Sequence, residues 1–223
     1  MLSKIPNRFS KPVRIQNRFA KANRFLYIKK LRILATQNLS SFKKNLCTFA
    51  PLNLCPLKKM TKILLLSDTH SHIDDTILKY VALADEVWHA GDIGDLHVTD
   101  TIKKLKPLRC VYGNIDGGEA RLEFPLHNRF LCENVSVWIT HIGGYPGKYN
   151  PAIREEMATN PPKLFICGHS HILKVMFDKK HNLLHMNPGA CGKSGFHQMR
   201  TMLRFVIDDD KIKDLEIVEI GKK

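Results

Sequence analysis

At 223 residues the chain is long enough to bury one substantial core, so one domain with an appendage is expected. Its 35 Lys and Arg exceed its 21 Asp and Glu, a formal charge of +14, yet residues 1–60 hold 14 of those bases and none of the acids. Removing those 14 from 35 leaves 21 bases against 21 acids, which argues against a catalytic surface built for extended phosphate-backbone contact.

The first 59 residues read as a basic extension. "NRF" recurs at Asn7, Asn17 and Asn23, at intervals too irregular for a stacked repeat. Residues 24–34, "RFLYIKKLRIL", have the spacing of a short amphipathic helix, marginal by itself. Three readings stay open: a disordered tail or a start assigned upstream of Met60, an acid-free targeting peptide, or a basic arm for nucleic acid or membrane. Met60, followed at once by strand-like "TKILLLSD", favours the first and sets the expected domain at 60–223.

From Thr61 apolar runs alternate with segments of mixed polarity, the pattern of an α/β fold with mixed sheets. "KILLLS" is a strand covered on both faces, and "DDTILKYVALA" (74–84) a helix opened by acids. "EVWHAGD" predicts a second strand, "HVTDTIKKLKP" a helix stopped by Pro107, and "LRCVYGN" a third strand. "RFLCENVSVWITHI" predicts two strands joined at "EN", followed by a helix over Pro151 to Thr159. "GGYPG" (143–147) reads as a mobile lid or a surface loop. "KLFICG" is a buried strand, and the last two segments are hairpins turning at "DKKHN" and "DDDK". Trp88 and Trp138 lie within strand patterns and are expected in the core.

Cys47, Cys55, Cys110, Cys132, Cys167 and Cys191 are scattered without a CxxC pair, and Cys110 and Cys167 sit in apolar runs. A reducing, cytoplasmic setting is the expectation. No stretch approaches the roughly 18 consecutive apolar residues of a membrane span.

Residues with chemical potential fall where these strands end. Asp68 and His70 close the first, Asp92 the second, and Asn114 and Asp116 the third; His141 ends a later strand, and His169 and His171 end "LFICGHSH". Loops at the carboxyl ends of strands in α/β sheets converge on one crevice. A lone strand-end His or Asp is more often a turn former, but carboxylate, amide and imidazole gathered without thiolate suit a hard-to-borderline divalent cation. One Asp carries two oxygens and can bridge two such ions about 3.5–4 Å apart. His89 is left outside the group.

The order D-x-H, G-D, G-N, a single H and G-H-x-H resembles the calcineurin-like metallophosphoesterases, over residues from about Met60 to the C-terminus. The short chain and the "GNID" and "NPGA" loops are most similar to the small bacterial and archaeal phosphodiesterase branch. The resemblance implies a four-layer sandwich of two mixed β-sheets flanked by helices, with a dinuclear centre. It assigns Asp68, His70, Asp92 and His171 to one metal, and Asp92, Asn114, His141 and His169 to the other. Asp92 is then the bridge, and Asp92, Asn114 and His169 the residues nearest the chemistry. Two ions would lower the pKa of a shared water, which attacks phosphorus in line. Manganese is the first expectation, with Fe, Zn, Ni or Mg as alternatives.

Many relatives carry a His after the GN asparagine as general acid. Ile115 stands there, and Asp116 follows as a residue that could orient Asn114. His72 and His97 are substitutes to consider. The Arg that larger relatives place after "GDxxD" is replaced by Leu96. The leading expectation is therefore a phosphodiesterase acting on a small phosphodiester. The alternatives are a protein-binding scaffold like the small retromer subunit, which resembles this fold, or a nuclease recruited by the basic arm. Homo-oligomerisation and nucleic-acid binding stay open.

Overall fold

A computed structural model describes residues 60–223; the expectations for 1–59, including the helix at 24–34, lie outside the described residues. The chain runs β1 (Met60–Leu66), α1 (Asp75–Leu83), β2 (Glu86–His89), α2 (His97–Lys103), β3 (Leu108–Cys110) and α3 (Gly118–Glu123). It continues through β4 (His127–Cys132), β5 (Val135–Thr140), β6 (Gly144–Tyr145), β7 (Lys148–Tyr149) and α4 (Pro151–Thr159). The last strands are β8 (Leu164–Ile166), β9 (Leu173–Asp178), β10 (Leu183–Pro188), β11 (Met199–Asp208) and β12 (Lys211–Lys222). Two five-stranded mixed sheets result, ordered β12-β11-β1-β2-β3 and β4-β5-β8-β10-β9.

The period-two alternation of strands explains how the layers stack. Ile63 and Leu65 of β1 join Val137 and Ile139 of β5 and Leu164 and Ile166 of β8 in the core between the sheets. Leu64 and Leu66 point the other way, against Ile77 and Val81 of α1 and Val98 and Ile102 of α2. On the far side, Trp138 and Phe165 pack with Ile153 and Met157 of α4. This is the four-layer arrangement expected, with Trp88 and Trp138 fully buried.

α1 starts where its acids place it: the Asp74 side chain accepts from Ile77 N (2.9 Å) as N-cap. α4 spans its predicted residues, with Asn150 capping Ala152 N at 2.9 Å and Pro151 opening the first turn. α2 ends at Lys103, short of Pro107, because the N–H groups of Leu105 and Lys106 both turn back onto Ile102 O. "GGYPG" is not a plain surface loop. It forms the ribbon β6–β7, and its Gly144 carbonyl accepts from His185 Nε2 (3.0 Å) on β10. Gly144 and Gly147 supply the positive φ this tight ribbon requires. α3 lies outside the sequence expectations, since its six residues carry too little apolar periodicity to read.

Candidate metal centre

The parallel pairs β1–β2, β2–β3 and β5–β8 point their carboxyl ends the same way within each sheet. The residue set from those ends meets there. Asp68 follows β1 by two positions, Asp92 follows β2 by three, and His141 follows β5 directly. Ligating atoms of Asp68, His70, Asp92 and His171 lie within 4.8 Å of one another, and so do those of Asp92, His141 and His169. Asn114 joins the second group, its Oδ1 3.1 Å from His141 Nε2.

Asp92 belongs to both groups through different oxygens. Oδ1 lies 3.1 Å from His141 Nε2 and accepts from Ile115 N (3.2 Å), while Oδ2 faces His70 Nε2 at 3.8 Å. In the first group His171 Nε2 stands 3.3 Å from Asp68 Oδ1 and 3.2 Å from His70 Nε2. Asp68, Asp92 and His141 are buried, His70 and His171 partly so, and Asn114 and His169 exposed. The carboxylates therefore form a floor, and the amide and one imidazole stand at a mouth. Beside the mouth, a cleft of about 400 Å³ is lined by His169, Lys148 and Arg154, and another of about 210 Å³ by Asn114, His141 and Arg121.

The backbone is bent to achieve this. Asp68, His70, Asp92, His169 and His171 all hold positive φ, between 47° and 67°. Each such non-glycine residue costs on the order of 1 kcal/mol or more, and strain of this kind persists where surrounding structure enforces it. Enforcement is visible. Asp68 N and His70 N donate to Gly91 O and Asp92 O, and Cys191 N and Gly192 N donate to Ser67 O and Asp68 O.

Burial opposes charge on Asp92, but His141, the Ile115 N–H and His70 together hold its carboxyl below the ordinary value. Burial likewise opposes a proton on His141, but Asp92 and Asp68 raise its affinity above the ordinary imidazole value. The carboxylates thus attract positive charge into the pocket. One further observation tests whether a divalent cation fits: Asp68 Oδ2 is buried without a hydrogen-bond partner, a costly state for a carboxylate oxygen unless a cation meets it. The oxygen-and-imidazole donor set suits divalent metals, and His141 is presented correctly, since Nδ1 donates to Ala90 O (2.7 Å) and leaves the Nε2 lone pair facing inward.

The calcineurin-like phosphoesterase superfamily domain matches residues 61–210. The chain belongs to that superfamily. A "probable metallophosphoesterase" of Methanothermobacter thermautotrophicus is 26% identical over 161 residues, spanning 70% of this chain and 91% of the relative. Among solved structures of this fold, an archaeal phosphodiesterase superposes with a TM-score of 0.57 at 22% identity, covering 71% of this chain and 99% of its own. Vps29 from Entamoeba histolytica complexed with Zn2+ gives 0.57 at 15% identity, covering 71% and 98%. Members of the calcineurin-like superfamily bind divalent metals, and the donor cluster described above is consistent with that.

The residues that support this cluster have roles the sequence did not disclose. Thr69 Oγ1 and Gly91 N contact the two nitrogens of His89 (2.9 and 3.1 Å), so His89 holds the Asp68 and Asp92 loops without facing the donors. Burial pushes His89 down to about 4, keeping it neutral. Asp116 accepts from Gly94 N and Gly113 N (2.8 and 2.6 Å), so it fastens two loops and does not orient the Asn114 side chain. Asn187 of the "NPGA" loop donates to Gly168 O at 2.8 Å, holding the GHSH turn. "GD", "GN" and "NPGA" hinted at these positions; His89 and Thr69 carried no signal.

Proposed function

We propose that the chain is a dinuclear-metal-dependent phosphodiesterase of small phosphodiesters, with Mn2+ favoured over Fe, Zn, Ni or Mg. The observation that carries this reading is Asp92 turning one oxygen toward His141 and the other toward His70. In it, Asp68, His70, Asp92 and His171 hold one ion, and Asp92, Asn114, His141 and His169 hold the second. The bound ions supply Lewis acidity toward water and the phosphoryl oxygens. The exposed Asn114 and His169 border the position of the reacting phosphoryl group, and Asp92 sets the separation of the two halves of the site. Lys148, Arg154 and Arg121 line the adjoining clefts, where they complement a substrate's negative charge.

The leaving oxygen finds little help. Ile115 has no proton to give, His72 is engaged with Asp74 at 3.0 Å, and His97 is paired with Asp95 at 3.3 Å. Diesters with good leaving groups are therefore the preferred substrates. The test is hydrolysis of an activated aryl phosphodiester with added Mn2+, beside the same protein carrying Asp92→Asn. Equal rates remove the proposal.

A second reading, a protein-binding scaffold, is favoured by the fold-level likeness to Vps29. The filled donor set weighs against it, because seven gathered polar side chains, five of them on strained backbone, have no use in a surface that only docks proteins. Metal analysis of the purified chain separates the two: a scaffold stays folded and competent when metal-free.

A further inference from the structure

The loop between β10 and β11 brings one more histidine to the centre. His197 Nε2 lies 3.0 Å from Gly192 O, and a carbonyl can only accept, so that nitrogen carries the proton. The other ring nitrogen, Nδ1, is then an acceptor. It sits 3.3 Å from His171 Nδ1, which must donate to it, so that in the neutral His171 ring the Nε2 lone pair is left on the side facing Asp68 and His70.

The loop is built for this approach. Gly195 holds a φ of 111°, and a Cβ there would overlap His171 Nδ1, so no side chain but hydrogen fits. Gly192 N donates to Asp68 O (3.1 Å), which ties the carbonyl acceptor to the loop of another donor of the same group. Arg200 Nε donates to Cys191 O (2.7 Å), and Lys223 N to Gln198 O (3.1 Å), fastening both ends of the segment. The hydrogen-bond chain Gly192–His197–His171 thus starts and finishes on the Asp68 side of the site. In the other group, His141 reaches the same result with a backbone carbonyl alone, Ala90 O.

We infer that His197 is a positioning residue for the ion held by Asp68, His70 and His171, selecting the His171 tautomer whose Nε2 is free to ligate. This rests on the two-ion reading above. Outer hydrogen bonds to metal-ligating imidazoles set ring orientation and basicity, and their loss costs roughly 10–100-fold in metal affinity.

His197→Leu and His197→Asn separate this role from packing. The two side chains are close in size, but only Asn places an acceptor oxygen near the Nδ1 position. Calorimetric titration of the metal-free full chain with Mn2+ should show two ions in the wild type. In His197→Leu one ion should weaken by about 10–100-fold while the other is unchanged, and His197→Asn should recover most of the loss. Equal affinities for the Leu and Asn variants, or a Leu variant that binds both ions like the wild type, overturn the inference. A wild type that takes up no Mn2+ overturns the two-ion reading itself, and this inference with it. A measurement needing no variant stands beside these: long-range 15N–1H spectra of the metal-free wild type should show His171 protonated on Nδ1. Protonation on Nε2 alone would refute the assignment.

Discussion

Asp92 Oδ1 lies 3.1 Å from His141 Nε2 while the same carboxylate's Oδ2 faces His70, so one side chain joins two donor groups that are otherwise separate. Losing that carboxylate should disturb both groups, whereas losing His169 should disturb one. After dialysis against Mn2+, Asp92→Ala is expected to retain neither ion and His169→Ala one. An Asp92→Ala protein that keeps a full complement by elemental analysis would contradict the shared role. The fall in diesterase activity for Asp92→Ala should exceed the roughly 10–100-fold typical of losing an outer hydrogen bond.

Gly91 has a φ of 91°, and a Cβ there would stand 2.7 Å from His141 Nδ1. Gly91→Ala is expected to destabilise the fold by about 1–3 kcal/mol through strain and to displace His141, lowering metal affinity. Gly118, which lies in α3 and where an added Cβ would meet only open space, is the control. Gly118→Ala should be neutral or stabilising by up to about 1 kcal/mol. Urea unfolding and metal titration of both variants check the contrast; similar behaviour would show that the close approach at Gly91 is unimportant.

Asp74 joins a helix to the loop that follows the first donor pair. Burial would raise its carboxyl, but the Ile77 N–H, His72 and Arg200 hold it at about 2, below the ordinary 3.8. Because the folded value is the lower one, its stabilisation is complete above about pH 4 and disappears as pH falls toward 2. Asp74→Ala should cost about 1–2 kcal/mol in metal-free protein at pH 7. The gap between wild type and variant should close as pH falls through that window, read by denaturant unfolding at several pH values. A gap independent of pH would mean the carboxylate contributes nothing as an anion.

Phe165 is fully buried between Trp138 and Tyr149, with ring centroids 5.4 and 5.6 Å away. Phe165→Ala should cost about 3–5 kcal/mol, the range for an aromatic removed from a rigid core. Its ring also touches the space a Cβ on Gly143 would occupy, so β6–β7 should loosen with it. Hydrogen exchange confined to the global unfolding rate would argue against that coupling.

Most strands and α1, α2 and α4 were legible because continuous apolar runs, period-two alternation and capping residues are local signals. Ile63 and Leu64 face opposite layers for no reason beyond the geometry of an extended chain. The gathering of candidate donors was legible as well, since Asp68, Asp92, His141 and His169 each follow a readable strand. The β6–β7 ribbon and α3 were not, because their few residues take their shape from neighbours: Gly144 O is held by His185, forty-one positions along the chain.

Residue order was enough to say that acids and imidazoles stand at strand ends, for the pleat and the turn act over a few neighbouring positions. Which oxygen of Asp92 serves which group, which nitrogen of His171 is free, and that His197 comes within 3.3 Å of it depended on packing two sheets and a distant loop together. Such relations join residues separated by tens of positions, and they are set by close approach in space, about which neighbouring residues in the chain carry no information.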